Sequence, residues 1–576
     1  MQVRQAASDS RIMFRQAPCR LLALAALAAA VSGPGFAAKL TDREHTRIEE
    51  PRPADVPSDE EMETAGAIIG KIDIDVRNIF DEADPRENSG LFRIADHLHI
   101  RTKRSAIQAR LLFRSGDKYS ARKLAETERA LRLLTYVYDA HIVPVHYADG
   151  KVDVRVITKD VWTLSPGISF GRAGGTNATS FRLQDSNFFG WGKTVQISHE
   201  STVDRTSDTV AWSDPNVFGS RWISAAEYAD SSDGSTRSLQ IARPFYSLDA
   251  PWSVNLVGVR YDRTVSRYNL GKIVDQFSDD QTSYELSGGL SNGLIDGWTK
   301  RLTFGVRYDH NVFVPTATAT PARELPAERT LAYPFVGFDI IEDDYRKTGD
   351  QNQIGRTEDL YFGTEVSGSI GLSNGVFGAD RSALMLALSA VKGIELPAQQ
   401  QIFVTGNFSA RVDAGRARNL IADSGAKYYW RWREDWLLYA ALSATVTASL
   451  DPELQVLLGG DNGLRGYPLR YESGTSRAFF TLEQRYFTDW YPFRLARVGA
   501  AVFADAGRTW GNGTRQTDPG MLQAEPGMLS DVGFGLRLGN TRTGLGNVLH
   551  VDVAFPLRNI AGIQKIQFLV QTYQSF

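Results

Sequence analysis

The sequence predicts a mainly β protein: a C-terminal transmembrane antiparallel β-barrel preceded by a small α+β domain. Three observations carry this expectation. From Thr163 to Phe576 short runs of period-two alternation recur, and no convincing amphipathic helix remains. No segment reaches the about 18 consecutive apolar residues of a membrane helix. Residues 1–37 nevertheless have the form of an export signal. An exported chain without a membrane helix can still cross a bilayer as a closed barrel, because closure pairs every backbone N–H and C=O without water. A large soluble β-sandwich or propeller is the alternative.

The expected signal has a basic start (Arg4, Arg11, Arg15, Arg20), an apolar run from Leu21 to Val31, and small residues in Gly35-Phe36-Ala37. The run is shorter than the about 20 residues needed to span a bilayer. The sole cysteine, Cys19, precedes the apolar run, so it is not a lipoprotein cysteine. Removing 1–37 leaves no cysteine, which excludes disulfides and thiolate metal or redox chemistry. Four arginines and one aspartate leave with it, so totals of 64 basic and 67 acidic side chains become 60 and 66. Nothing in that balance suggests a nucleic-acid partner. Residues 38–66, polar and carrying Pro51, Pro53 and Pro57, read as a flexible leader.

Residues 67–161 read as a small βααββ domain. Ile72, Ile74 and Val76 alternate with charged residues as a half-buried strand. Thr102 precedes a helix-like run with Ile107, Leu111 and Leu112, stopped by Gly116. Ser120 is placed to cap a second helix whose Leu124, Leu131 and Leu134 share a face. A hairpin follows, turning at Asp149-Gly150 between alternating valines.

Residues 162–576 read as the barrel. Val532, Phe534, Leu536 and Leu538 alternate with Gly533, Gly535 and Arg537, and Val551, Val553 and Phe555 with Asp552 and Ala554. One apolar face and one polar or small face suit lipid outside and water inside. About nineteen such runs are discernible, in a class of barrel whose single-chain bacterial members have even strand numbers. The last strand, through Phe568 and Val570 to the terminal Phe576, has the aromatic ending of an outer-membrane assembly signal, although Thr572 and Gln574 stand where apolar residues would be preferred.

Leu458 to Pro468 packs four glycines and a proline around Arg465. Glycines at that density let backbone pass where side chains clash. Two readings are open: an ordered loop that presents Arg465, or a mobile surface turn. A later strand offers a partner. Phe503, Asp505 and Gly507 share one strand face, while Val502, Ala504 and Ala506 make an apolar opposite face suited to lipid. Asp505 is therefore expected in the lumen. An Arg465–Asp505 pair would anchor an inward-folded loop with bidentate geometry; otherwise Asp505 simply lines a polar lumen.

Gly463-Leu464-Arg465-Gly466-Tyr467 contains a motif that resembles the Val-Arg-Gly-Phe/Tyr loop tip of the BamA/TamA superfamily, also called the bacterial surface antigen family, with leucine in place of valine. Phe503-Ala504-Asp505-Ala506-Gly507 resembles that family's Phe-x-Asp-x-Gly strand, which receives the loop arginine. Gly533 to Arg537 and Phe555-Pro556-Leu557 resemble the strands that follow. The βααββ domain resembles a polypeptide-transport-associated (POTRA) domain, here single where well-known members carry several. The resemblance implies a barrel of about 16 strands in the bacterial outer membrane, with the N-terminal domain in the periplasm. It implies no chemical reaction and no cofactor. Its expected partners are outer-membrane lipids, unfolded or exported polypeptide clients and periplasmic accessory proteins. The implied roles are assisted insertion or translocation of polypeptides, two-partner secretion of one exported protein, or a passive pore or surface antigen. The first and last barrel strands, near Ile168 and Phe568, would form a weak seam.

Other motifs carry less. Gly289-Leu290-Ser291-Asn292-Gly293 and Gly371-Leu372-Ser373-Asn374-Gly375 match the Gly-x-Ser-x-Gly nucleophile pattern, but the repeated pentapeptide reads as a recurring turn. His97 and His99 have no further ligands at metal spacing, so no metal is expected.

Overall fold

A computed structural model describes residues 48, 50–316, 325–511, 527–543 and 548–573. The expected signal segment, the first part of the leader and Phe576 lie outside the described residues.

The small domain has a three-stranded sheet in the order β1-β3-β2, formed by Ile68–Arg77 (β1), Val137–Ala148 (β2) and Lys151–Asp160 (β3). β1 runs parallel to β3, and β2 antiparallel to it. Asp149 and Gly150, both at positive φ, make the tight β2–β3 turn. Val152, Val154 and Val156 on β3 are fully buried against Ile107, Leu124 and Leu131. That apolar contact between helix stripe and valine face is what holds the domain together.

Two features depart from the βααββ expectation. Between β1 and β2 lie three helices, Gly90–Leu98, Arg104–Gln108 and Ala121–Arg132. The first is short and turns its apolar residues away from the core. The second departure concerns the stretch expected as a flexible leader. Its end holds a helix, Asp59–Thr64, capped by Ser58, with Met62 and Val56 buried in the domain core. Ser58 accepts from Glu61 N while Glu61 accepts from Ser58 N, a capping box that fixes even this short helix.

The barrel closes with 20 antiparallel strands, not the about 16 expected from the resemblance. Its first ten are Leu164–Ala173 (β4), Thr176–Asp185 (β5), Thr194–Ser201 (β6), Thr206–Asp214 (β7), Ile223–Ser231 (β8), Gly234–Arg243 (β9), Trp252–Asn269 (β10), Lys272–Ile295 (β11), Trp298–Pro315 (β12) and Arg329–Glu342 (β13). A hairpin of Tyr345–Gly349 (β14) and Thr357–Tyr361 (β15) then leaves the barrel wall. The wall resumes with Thr364–Ser373 (β16), Ala383–Leu396 (β17), Gln400–Asp413 (β18), Arg416–Arg433 (β19) and Trp436–Ala448 (β20). Val456–Leu458 (β21) and Glu472–Gly474 (β22) pair with each other at the neck of a long loop. Ser476–Phe487 (β23), Ala496–Trp510 (β24), Leu529–Asn540 (β25), Val548–Pro556 (β26) and Gln567–Tyr573 (β27) complete the wall. The alternation itself, at about nineteen runs, lay closer to this number than the family count, because each short strand from β4 to β9 carries its own period-two pattern and its own ladder.

Outward positions are apolar: Leu302, Phe304, Val336, Ile370 and Leu388 form a lipid-type surface. Closure is weakest where the ends of the chain meet. Among the described residues β27 and β4 share one paired position, Val570–Arg172, whereas β4–β5 and β26–β27 form long continuous ladders. Phe568 points outward and is exposed.

The small domain docks on the barrel end at which β4 begins. Arg132 grips Asp359 of the β14–β15 hairpin through two nitrogens, each at 2.7 Å. Tyr138 donates to Gly355 O at 2.6 Å, and Arg356 donates back to Val137 O at 3.0 Å. Glu87 meets Arg542 and Arg494 on two neighbouring barrel turns.

Candidate functional site

Two inserts enter the lumen from opposite ends. From the far end comes the loop between β20 and β23. Asn462 stiffens it by accepting from Gly459 N at 2.6 Å and donating to Leu457 O at 3.0 Å. Leu464 N donates to Gly459 O, and Tyr467 N to Leu464 O, each at 3.0 Å, which wraps the backbone tightly around Arg465. Leu464 and Tyr467 are fully buried with Leu458 and Leu529, and Tyr467 donates its hydroxyl to Ser530 O at 3.0 Å. Glycine is required at 466, where a Cβ would lie 2.6 Å from the Cβ of Asp531, and at 463, where φ is +137° and a Cβ would strike the Phe479 ring. These glycines bring the loop backbone against the wall, which a mobile surface turn would not need.

This fold sets Arg465 against inward positions of β23 and β24. Its Nε donates to Asp505 Oδ2 at 2.7 Å and its Nη2 to Asp505 Oδ1 at 2.9 Å. Nη1 donates to Glu483 Oε1 at 2.7 Å, and Nη2 also reaches Thr481 Oγ1 at 3.1 Å. Thr481 in turn donates to Asp505 Oδ1 at 2.6 Å. The guanidinium lies 3.4 Å over the Phe503 ring, a stacked cation–π contact. Asp505 has no exposed side-chain surface and Arg465 keeps 11%. Gly507 completes the face: a Cβ there would press on Ala478 O and Leu458.

Several members of the cluster had not been singled out from the sequence. Glu483 bridges Arg465 and Arg485, accepting from Arg485 Nε at 3.0 Å. Arg537, fully buried, pairs with Asp552, which lies 3.6 Å from Arg465. Asp531 stands directly across from Asp505 in the β24–β25 ladder. Charged residues at alternate, inward positions of β23 to β26 were the available signal. What the sequence could not supply was the register that puts them side by side.

The second insert enters from the small-domain end. Between the two strands of the β14–β15 hairpin, Glu358 gathers the backbone N–H groups of Gln351, Asn352 and Gln353 at 2.8, 3.1 and 3.2 Å. The tip reaches the inner wall at β19, β20, β23 and β24. Ile354 is buried among Tyr429, Leu437, Phe487 and Ala501, and Tyr429 donates to Asn352 Oδ1 at 2.8 Å. Arg485 Nη1 donates to Gln351 O at 3.3 Å. A continuous polar chain therefore joins the inserts: Gln351, Arg485, Glu483, Arg465, Asp505.

Residues 402–572, which hold this entire cluster apart from the hairpin, match the Omp85 superfamily domain. That C-terminal stretch of the barrel is similar to the Omp85 superfamily. The match agrees with the resemblance to the BamA/TamA superfamily. Among solved structures, BamA from Haemophilus ducreyi lacking POTRA domains 1–3 is similar at 14% identity, covering 88% of this chain and 85% of that one, with TM-score 0.37. CdiB from Escherichia coli is similar at 14% identity over 88% and 76%, with TM-score 0.44. CdiB from Acinetobacter baumannii is similar at 13% identity over 88% and 74%, with TM-score 0.39. No curated protein matches the sequence.

The remaining candidates fall elsewhere in the chain. Ser291 lies in β11 beside a register irregularity rather than in a turn, and donates to Lys300 O at 3.0 Å. Ser373 is buried at the end of β16, where it accepts from Ala332 N at 3.3 Å, and only here does the pentapeptide lead into a turn. Neither hydroxyl is bonded to a histidine. His99 is spent on Asp160 at 3.0 Å, and among the described residues no three potential metal ligands converge.

Proposed function

We propose that this protein is an outer-membrane barrel of the BamA/TamA type that assists insertion or translocation of polypeptides and catalyses no reaction. The observation that carries the reading is the loop drawn into the lumen of an Omp85 domain and fixed by Arg465 on Asp505. In this reading residues 1–37 are a signal peptide and 38–66 a leader whose end packs into the module that follows. Residues 67–161 form a POTRA-like module in the periplasm, ahead of the barrel at 162–576. The module would take unfolded clients by strand addition to an edge of its sheet, with periplasmic accessory proteins beside it. The β4–β27 seam, with one paired position among the described residues, would open toward lipid or a client strand. Arg465, Gly466, Tyr467 and Asp505 hold the lumen in a competent shape, supported by Gly463, Leu464, Phe503 and Gly507. Phe568, Val570 and Phe576 would serve as the signal for the barrel's own assembly.

A second reading is a two-partner-secretion transporter for one exported protein. It is favoured by the β14–β15 hairpin, since a transport lumen has to be closed at rest and both ends of this one are occupied. A passive pore or surface antigen fits an occupied lumen least well. Depletion of the protein followed by a proteomic census of outer membrane and medium separates these. Loss of many barrel proteins supports assembly, and loss of one secreted protein supports transport. Neither loss, together with steady conductance of the purified protein in planar bilayers, would contradict both.

A further inference from the structure

Helix Gly90–Leu98 turns its apolar residues the wrong way for a core. Leu91, Ile94 and Leu98 share one stripe and are 71, 60 and 67% exposed; Ile100, just beyond, is also exposed. The opposite face is pinned to the domain: Phe92 stacks on Phe80 at 4.3 Å, and the buried Asp96 accepts from Phe80 N at 3.3 Å. Arg93 and His97, both exposed, lie to one side of the stripe. The helix is therefore held in place with its greasy side outward.

Its position explains the orientation. On one side Glu87 meets Arg494 of the β23–β24 turn and Arg542 of the β25–β26 turn. On the other, Lys103 N donates to Gly190 O of the β5–β6 turn at 2.9 Å, and Lys103 Nζ sits 4.5 Å over the Trp191 ring. The helix thus hangs between turns on either side of the β4–β27 seam.

Two of those turns, and the β7–β8 turn at the same end, share an unusual feature. Phe189, Phe218 and Phe493, in three turns at this end of the barrel, all have φ near +50°. A bulky side chain rarely accepts that conformation. In each case the ring is exposed, by 50, 100 and 84%, with Trp191, Trp222 or Trp490 nearby and also exposed. Repeating the strain three times to hold a ring outward is what an aromatic belt at a membrane surface requires.

We infer that helix Gly90–Leu98 is an interfacial helix of the periplasmic leaflet: the Leu91-Ile94-Leu98 stripe enters the phospholipid surface beside the seam, level with this belt, and Arg93 and His97 lie among the headgroups. The inference rests on the reading that the barrel is membrane-embedded with the small domain in the periplasm. A phospholipid surface fits better than a protein groove, because the residues flanking the helix are fastened to barrel turns that themselves hold aromatic rings outward.

Single cysteines at positions 91, 94 and 98, in a full-length Cys19→Ser background, test it. They are labelled with an environment-sensitive fluorophore, with the protein in phosphatidylethanolamine/phosphatidylglycerol vesicles. Val336→Cys on the outer barrel wall is the lipid control, and Gln108→Cys, exposed on the small domain, is the water control. The expected result is blue-shifted emission at 91, 94 and 98, quenched by shallow nitroxide lipids several-fold more than at 108 and protected from iodide. Lipid quenching at 336 with water-like behaviour at 91, 94 and 98 overturns the inference while leaving the barrel in its membrane. Labels protected from iodide but unquenched by lipid are covered by protein, which also overturns it. Absence of lipid quenching at 336 removes the membrane reading itself, and the inference with it.

Discussion

Arg465 and Asp505, 40 residues apart, meet inside the barrel through two parallel hydrogen bonds of 2.7 and 2.9 Å. The contact ties a far-end loop to the inner wall. A bidentate pair fixes orientation as well as position. Breaking a buried pair from one side costs about 3–5 kcal/mol, because the remaining charge stays buried without its partner. Arg465→Ala and Asp505→Ala should each lower the temperature at which the folded barrel unfolds on heat-modifiability gels. Arg465→Lys should recover little, since an ammonium cannot span Asp505, Glu483 and Thr481 together.

Asp531 faces Asp505 across the ladder, so two acids stand side by side. Like charges placed opposite each other in a sheet destabilise it. Asp531→Asn should leave the unfolding temperature unchanged or raise it, in contrast to Asp505→Asn. Equal losses from both would place Asp531 inside the anchoring network.

The small domain and the lumenal hairpin share the Arg132–Asp359 clamp. Asp359→Ala leaves Arg132 buried without its main partner and should loosen the hairpin. Hydrogen exchange at residues 345–361 should rise by about tenfold or more, the equivalent of about 1.4 kcal/mol. Planar-bilayer recordings should show openings that the parent protein lacks.

Docking of the small domain should depend on pH. Burial pushes the Glu128 carboxyl upward, but the hydrogen bond to His141 and the charges of Lys347 and Arg132 outweigh it and hold the group at about 2. His141 is raised by its hydrogen bond to Glu128 against the opposing effect of burial. The Glu128 contribution is present above its unfolded value of about 4.3 and is lost as pH falls through the folded value. The His141 contribution is present below its unfolded value of about 6.5 and is lost as pH rises through its raised folded value. Thermal stability of the docked state should therefore peak between roughly pH 4.5 and 6.5. His141→Gln should flatten the alkaline limb.

The barrel and the lumenal face of β24 were legible in the sequence because period two exposes which side chains share a side. Phe503, Asp505 and Gly507 face inward for that reason, and the glycines around Arg465 announced a loop packed against something. The alternating runs, about nineteen, lie near the 20 strands of the wall, whereas the family resemblance implies about 16. Glu483, Arg485, Arg537 and Asp552 were not picked out, because no local pattern says which inward charges on neighbouring strands come level. The β14–β15 hairpin was hidden for another reason: its strands alternate as wall strands do, and only the tertiary contacts of Ile354 and Asn352 show that it enters the lumen. Helix Gly90–Leu98 carries a regular apolar stripe, but one that faces outward.

The account stands on a lumen held in working shape by Arg465. The direct test is assisted folding of an unfolded outer-membrane client in vesicles containing the purified protein, wild type against Arg465→Ala, with both barrels verified as closed. Wild type should speed client folding well above empty vesicles, and Arg465→Ala should lose most of that gain. Equal rates for the two proteins, or no gain with wild type, would contradict it.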